Sequence, residues 1–373
     1  MSQKINFYPL GNAETCLLEI SNGDKILFDY ADVKTEASDD KRINLCKELS
    51  SISKYKVVMF THAHDDHTHG AEDYFYFDHA AKYQSDNRAK IEELWVSSAF
   101  IVETDLENAS SAKIIRNEAR HRLLEGYGIK VFAKSDELVD WLKDHEVEYD
   151  DIKHLIIEPG TTISKAHFNN EMEIYVHAPF EEEVEDVDDK NEPSIVLQLR
   201  LFNNNGYIQK KTNVLITGDT TYQVIDKIVD SAIDSGNEDR LCWDIYDIPH
   251  HCSHTAVGEK DEKSNSVEPT KNVKLLLSKA NKNAYMVASC DKITSETSPP
   301  HLIAKKAYIN NTTDDVSFIV TMENENKEQL PQILRFKIDY LGVTKLDAVS
   351  KNAFSTKAAP RAGALYWRSL FEV

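Results

Sequence analysis

The run Tyr55-Lys56-Val57-Val58-Met59-Phe60 is apolar, β-branched and aromatic, and it leads straight into Thr61-His62-Ala63-His64-Asp65-Asp66-His67-Thr68-His69-Gly70. Such a run, bounded by polar residues, is expected as a buried strand. The histidines then stand where the strand leaves the core. His62 and His64 are two apart, so on extended backbone they point to the same side. Asp66 and His67 follow on a turn and can curl back towards them. Three imidazoles and one carboxylate within six residues form a ligand set for zinc or a similar borderline metal.

Two later segments repeat the arrangement. Asn213-Val214-Leu215-Ile216-Thr217-Gly218-Asp219 reads as a buried strand ending in an acid, with a glycine that lets the backbone come close. Asp244-Ile245-Tyr246-Asp247-Ile248-Pro249 reads as another, ending in His250-His251-Cys252-Ser253-His254. Three strand ends thus present metal-binding side chains, and ligands gather at such an edge of an α/β sheet.

The rest of the chain supports an α/β reading. A strand over 5–10 and a hairpin over 16–30, turning at Ser21-Asn22-Gly23-Asp24, open the chain. A crossover helix is expected over 36–54, with Leu45, Leu49 and Ile52 at helical spacing. Further strands are expected at 94–97, 171–178, 195–199, 284–289, 316–320 and 333–338. Helical patterning marks 103–128, and Ser135 is placed to cap a helix carrying Leu138, Trp141 and Leu142. The stretch 98–150 reads as a helical insertion, a cover or lid rather than a separate domain. Glu181 to Asp189 is an acidic run expected as a solvated loop. From Gly342 the patterning is poor, yet Leu365, Tyr366, Trp367, Leu370 and Phe371 are apolar enough to dock on the domain or on a partner. The expected division is a hydrolase domain over 1–340 and an extension over 341–373.

Charge limits the partners. The chain has 373 residues and a net charge of -20, with 63 acids against 43 bases, which argues against a broad basic surface for nucleic acid. A nucleotide or a single strand stays open, because metal ions supply local positive charge. The five cysteines (Cys16, Cys46, Cys242, Cys252, Cys290) are scattered and form no Cys-x-x-Cys site, as expected in a reducing cytoplasm. No signal core stands at the N-terminus and no run is long enough to span a bilayer, so a cytoplasmic chain without a membrane partner is expected.

The pattern His-x-His-x-Asp-His at 62–67 resembles the signature of the metallo-β-lactamase superfamily. Together with Asn191-Glu192-Pro193-Ser194-Ile195, Leu215-Ile216-Thr217-Gly218-Asp219, Pro249-His250-His251-Cys252-Ser253 and, more weakly, Ser298-Pro299-Pro300-His301, it resembles the branch that includes the hydrolase domain of DNA-uptake competence proteins. The resemblance spans about residues 4–340, with 98–170 unmatched. It implies an αββα sandwich of two mixed β-sheets flanked by helices. It also implies two divalent metal ions, Zn2+ first and Mn2+ as the alternative. His62 and His64 would bind the first, Asp66 and His67 the second, Asp219 would bridge them, and His250 or His251 would complete the second site. Asp66, His250 and His251 are the residues expected to serve the chemistry.

Two departures stand out. Cys252 occupies a position that is commonly glycine. Asn191 stands near the position where many members of the superfamily place a further histidine, and His177 and His167 are the imidazoles nearest to it in sequence. Two close metals would lower the pKa of a shared water and clamp a phosphoryl or carbonyl oxygen. The expected activity is therefore that of a phosphodiesterase or nuclease attacking with a metal-bound hydroxide rather than with the Cys252 thiol. Two alternatives remain open at this stage. One is a lactone, thioester or β-lactam hydrolase. The other is a metal-stabilised component of a defence or signalling complex, which the acidic loop and apolar tail would serve as interaction surfaces. His69, His254 and Ser253 are candidates for support of the site.

Overall fold

The structure is a computed structural model and describes residues 2–346 apart from 105, 107–109, 186–192, 205 and 295–297. Asn191 and the apolar residues from Leu365 to Phe371 lie outside the described residues.

Among the described residues, two large sheets pack face to face. The first contains β1 (Gln3–Phe7), β2 (Cys16–Glu19), β3 (Lys25–Phe28), β4 (Lys54–Met59), β5 (Lys90–Ser97), β6 (Ile129–Phe132) and β7 (Ile156–Ile157). The second contains β8 (Thr162–Ile163), β9 (Met172–Ala178), β10 (Val196–Asn204), β11 (Gln209–Ile216) and β12 (Trp243–Asp247). A small ribbon of β13 (Lys260–Asp261) and β14 (Ser266–Val267) follows. The second sheet is completed by β15 (Ala280–Ala288) and β16 (Ser317–Val320), and the first by β17 (Leu334–Asp339) and β18 (Gly342–Leu346). The strand orders are 18-17-1-2-3-4-5-6-7 and 16-15-12-11-10-9-8. Both sheets are mixed: β3 to β7 run parallel, as do β11, β12, β15 and β16, and the remaining pairs are antiparallel.

Alternation along the strands sorts the side chains into three layers. Ile5, Phe7, Val57, Met59, Trp95, Val176, Leu197, Leu199, Val214, Ile216 and Phe336 fill the space between the sheets. Tyr55, Val58, Phe60, Leu94 and Val96 point the other way, onto the helices Leu45–Leu49, Ser111–Glu125 and Asp136–Asp144. Leu215, Trp243, Tyr246 and Met286 face the helices Tyr222–Asp234, Lys271–Ser278 and Leu302–Asn310. This is the α/β sandwich of two mixed sheets flanked by helices that the metallo-β-lactamase resemblance implied.

Several expectations need correction. The crossover helix is only Leu45–Leu49, because Asn44 caps it and Asp40 ties Thr35 and Arg42 into a turn before it. The helix expected over 103–128 starts at Ser111, where the Ser110 hydroxyl accepts the N–H of Lys113. Within the acidic run, Glu181–Glu185 is helical, and Glu183 is buried against Lys227 and the Phe180 N–H. The stretch 98–150 is not helical throughout; it adds β6 to the first sheet. The chain from Gly342 to Leu346, despite its poor patterning, is an edge strand paired with β17. Ser135 caps its helix as expected, accepting from Leu138 N–H at 3.1 Å. No helix among the described residues is long and apolar enough to cross a membrane.

Candidate metal centre

β4 delivers the histidine segment at one edge of the sandwich. The loop after it is clamped by backbone bonds: Asp29 N–H to Met59 C=O, Tyr30 N–H to His67 C=O, and Glu14 N–H to Asp66 C=O. Asp65–Thr68 forms a single helical turn, and this turn swings His67 back to His62, with ring centroids 4.2 Å apart. Gly218 then brings in Asp219. Its φ is +50°, and a Cβ there would lie 2.8 Å from Thr61 Cβ, so only glycine lets the β11 end press against the residue before His62. The Gly218 carbonyl in turn accepts the His250 N–H at 3.0 Å, which fixes the third segment.

These contacts place two groups of side chains around one carboxylate. Asp66, His67, His251 and Asp219 offer ligand atoms within 4.8 Å of one another, as do His62, His64 and Asp219. The two oxygens of Asp219 divide between them. Oδ1 lies 3.1 Å from His67 Nε2 and 3.8 Å from His251 Nε2. Oδ2 lies 3.7 Å from His62 Nε2 and 3.8 Å from His250 Nε2. His251 Nε2 is also 3.1 Å from Asp66 Oδ2.

Four of the rings are held from behind by a defined partner. His67 Nδ1 donates to Asp29 Oδ2 at 2.8 Å, and His251 Nδ1 donates to the Ser289 carbonyl at 2.8 Å. Thr61 Oγ1 gives its proton to Asp29, so it accepts from His62 Nδ1 at 3.1 Å. Thr255 Oγ1 gives its proton to Ser253 Oγ, so it accepts from His250 Nδ1 at 3.2 Å. In the neutral rings, every one of these bonds leaves the Nε2 lone pair facing Asp219.

A divalent cation fits this donor set. His62 Nε2, His67 Nε2 and Asp219 Oδ1 are buried and have no partner of hydrogen-bond geometry. Buried lone pairs of this kind are costly unless something positive sits among them. The titration of the bare chain says the same. Burial opposes a charged His67, yet Asp219 and Asp29 hold its pKa well above the usual histidine value. Burial likewise opposes a charged His251, but Asp219 and Asp66 push it up to about 9. Burial and the charge of His67 hold His62 well below the usual value. Burial would raise Asp219, but His67 and His251 keep it well below the carboxylate range. Without a cation the cluster gathers protons where positive charge is wanted.

The other histidines fall elsewhere. His69 is half-exposed and turns to Asp65 at 2.9 Å. His145 stacks on Trp141, and His167 pairs with Glu93 at 3.2 Å. His177 is buried with Nε2 on the Arg240 carbonyl. His254 packs against His301, whose Nδ1 accepts the His254 N–H. Cys252 is fully buried, and burial pushes its thiol up to about 12, which removes it as a nucleophile at neutral pH. Thr61, Thr255 and Ser289 were not singled out from the sequence as supports of the rings. Asp29 had a readable signal, an acid at a strand end, but its partner is thirty-eight positions away.

No family model matches the sequence, and no curated protein matches it. Among solved structures, a long form RNase Z from yeast is similar to this chain, at 11% identity and a TM-score of 0.39, covering 91% of this chain and 41% of that one. The chain therefore spans less than half the length of that protein.

Proposed function

We propose that the chain is a metal-dependent hydrolase of the metallo-β-lactamase kind, acting on a phosphodiester in a nucleotide or nucleic acid. One observation carries the reading: Asp219 turns one oxygen to the His67–His251–Asp66 group and the other to the His62–His64 group. A single buried carboxylate aimed at two sets of imidazoles is the arrangement that holds two cations close together. Zn2+ suits the mixture of imidazole and carboxylate best, with Mn2+ as the alternative. Cations bound there would lower the pKa of water and polarise a phosphoryl oxygen.

The residues divide the remaining work. Asp29, Thr61, Ser289 and Thr255 keep the rings oriented. Asp66 and His250 lie on the open side, with side chains 36% and 22% exposed, so substrate enters past them. His250 precedes His251 on the chain but stays outside the four-membered group that contains it. It is placed to contact a substrate oxygen rather than to complete that group. The motif set favours the branch with the competence-protein hydrolase domain, and hence a phosphodiester over a lactone, thioester or β-lactam. The acidic exterior favours a short strand or nucleotide over a long duplex.

The test is hydrolysis of bis-p-nitrophenyl phosphate and of single-stranded DNA with Zn2+ and with Mn2+, for the wild type and Asp66→Ala. Turnover that needs metal and is lost in the variant is the expected result. Absence of metal-dependent turnover on every phosphodiester, with turnover on an ester or amide panel, would replace this reading by the alternative.

A further inference from the structure

Arg116 and Arg120 stand four residues apart on the helix Ser111–Glu125, a spacing that brings two side chains together on one face. Arg116 is 6% exposed and Arg120 is half-buried. Their hydrogen bonds go to backbone. Arg116 Nη1 donates to the Glu103 carbonyl and Arg120 Nε to the Ile101 carbonyl at 2.7 Å, which serves the end of the helix Ser98–Val102. A guanidinium carries five N–H donors, so this capping role uses a minor part of each. Arg116 Nε is buried with no partner. The Arg120 guanidinium lies over the Trp141 ring, 5.4 Å from its centroid.

Among the described residues, no carboxylate forms an ion pair with either arginine. Burial lowers the pKa of Arg116, and the charge of Glu103 only partly offsets it. Burial and the charge of Arg116 bring Arg120 down to about 10. Elsewhere the chain pairs its buried arginines: Arg122, on the same helix, meets Glu118 at 2.7 Å, and Arg200 meets Asp239 at 2.9 Å. With 63 acids against 43 bases, partners for arginine are not scarce. Two adjacent guanidinium groups drawn out of water without an acid are costly unless an anion joins them.

The pair also lies near the metal centre. Ser111 Oγ, at the start of the helix, accepts the Gly70 N–H at 3.0 Å, and Gly70 is three residues past His67. Arg116 is five residues beyond Ser111, about 7.5 Å along the helix axis.

We propose that Arg116 and Arg120 bind a phosphate group through the guanidinium N–H donors that the end of the helix Ser98–Val102 leaves unused. Guanidinium forks match the oxygens of phosphate, and two of them supply charge as well as direction. Two sources can provide the group. One is a phosphate of the substrate next to the one at the metal centre, which rests on the phosphodiester reading above. The other is free inorganic phosphate, which does not.

Calorimetric titration of inorganic phosphate into the full chain, at an ionic strength fixed with chloride, tests the shared chemistry. Saturable binding is expected in the wild type, with a change in tryptophan emission because Arg120 covers Trp141. Arg116→Gln and Arg120→Gln are each expected to weaken it by roughly tenfold or more, the loss of a charge-assisted hydrogen bond. No saturable binding in the wild type would overturn the proposal. If Arg116→Gln does not fold, an Arg120→Gln affinity equal to wild type overturns it alone. A second arm separates the sources by comparing kcat/KM on single-stranded DNA with kcat/KM on bis-p-nitrophenyl phosphate, which carries one phosphate. A ratio lowered about tenfold in Arg120→Gln assigns the site to a substrate phosphate, and an unchanged ratio with weakened phosphate binding assigns it to the free anion. No turnover of either substrate sinks the metal-hydrolase reading and leaves the phosphate titration to decide this one.

Discussion

Asp29 grips His67 from behind: the carboxylate accepts the imidazole Nδ1–H at 2.8 Å, and both side chains are fully buried. The same carboxylate accepts the N–H and the hydroxyl of Thr61 at 2.7 Å each. Three donors therefore converge on one acid, and the Thr61 hydroxyl passes the orientation on to His62. Asp29→Asn keeps the shape but faces at least one of those donors with an amide N–H. Outer partners of metal ligands typically change affinity or activity by about 10–100-fold. A loss of that size in zinc affinity, with far-UV circular dichroism unchanged, is expected for Asp29→Asn. A titration within about threefold of wild type would show that Asp29 does not set the His67 tautomer.

Gly218→Ala should damage the site through geometry alone. The new methyl would lie 2.8 Å from Thr61 Cβ and 2.9 Å from Thr61 Oγ1, at a φ of +50°. Thr61 cannot retreat easily, because Asp29 holds it at two points. Overpacking and a left-handed alanine together cost about 2–4 kcal/mol. Chemical denaturation should report that loss, and metal affinity should fall with it as Asp219 is pushed away from His62. Wild-type stability in the variant would mean that the β11 end has room to move.

How far the site was legible in the sequence depended on distance along the chain. His62, His64, Asp66 and His67 could be read together because a strand and one turn set their directions. Asp219 and the pair at 250 and 251 could be named as strand-end residues, yet which ring faces Asp66 could not. That choice is made by Ser289, thirty-eight positions beyond His251, whose carbonyl fixes Nδ1. Ser194 could be read as part of the Asn191–Ser194 motif match, but not as a residue whose hydroxyl lies buried and unpaired. The fold was legible where the period was clean, as in β4 and β11. It was not legible at Gly342–Leu346, where an edge strand with partly exposed residues loses the alternation that marks buried ones.

His177 predicts a pH dependence that is independent of the metal centre. Burial lowers its pKa to about 4, and its Nε2 meets a backbone carbonyl. The folded value thus lies below the unfolded one of about 6.5. The fold prefers the neutral ring, so the contribution is fully present above pH 6.5 and is lost as pH falls towards 4, where the loss reaches about 3 kcal/mol. His177→Gln can still donate to the Arg240 carbonyl and does not titrate. Its stability, measured by urea unfolding, should fall less steeply than wild type between those two values. Parallel curves would contradict the assignment.

Cys252 follows His250 and His251 in a left-handed stretch, with φ of +51°, +50° and +64° in chain order. A left-handed non-glycine residue costs about 1–2 kcal/mol. Cys252→Ala keeps that cost and gives up the buried sulfur. Cys252→Gly gives up the sulfur and removes the strain, against a smaller loss in chain entropy. The glycine variant should therefore be more stable than the alanine variant by roughly 0.5–1 kcal/mol in paired denaturation curves, although it is the smaller side chain. The reverse order would place the value of this position in packing rather than in backbone conformation.

His250 and His251 should separate when each is replaced by alanine. His251 is buried, belongs to the group with Asp66, His67 and Asp219, and has its rear nitrogen on the Ser289 carbonyl. Removing it takes one of four donors from that group, so His251→Ala should lose metal on gel filtration, measured by elemental analysis. His250 is partly exposed, approaches Asp219 through Oδ2 at 3.8 Å, and has its rear nitrogen on the Thr255 hydroxyl. His250→Ala should keep most of its metal and lose turnover instead, by roughly the 10²–10⁴-fold expected when a group that meets the reacting atoms is removed. The comparison turns on metal content, because activity falls in both variants. Equal metal loss in the two would make His250 a ligand as well, and would move the point of substrate contact to another side chain on the open edge, with His254 the nearest imidazole in sequence.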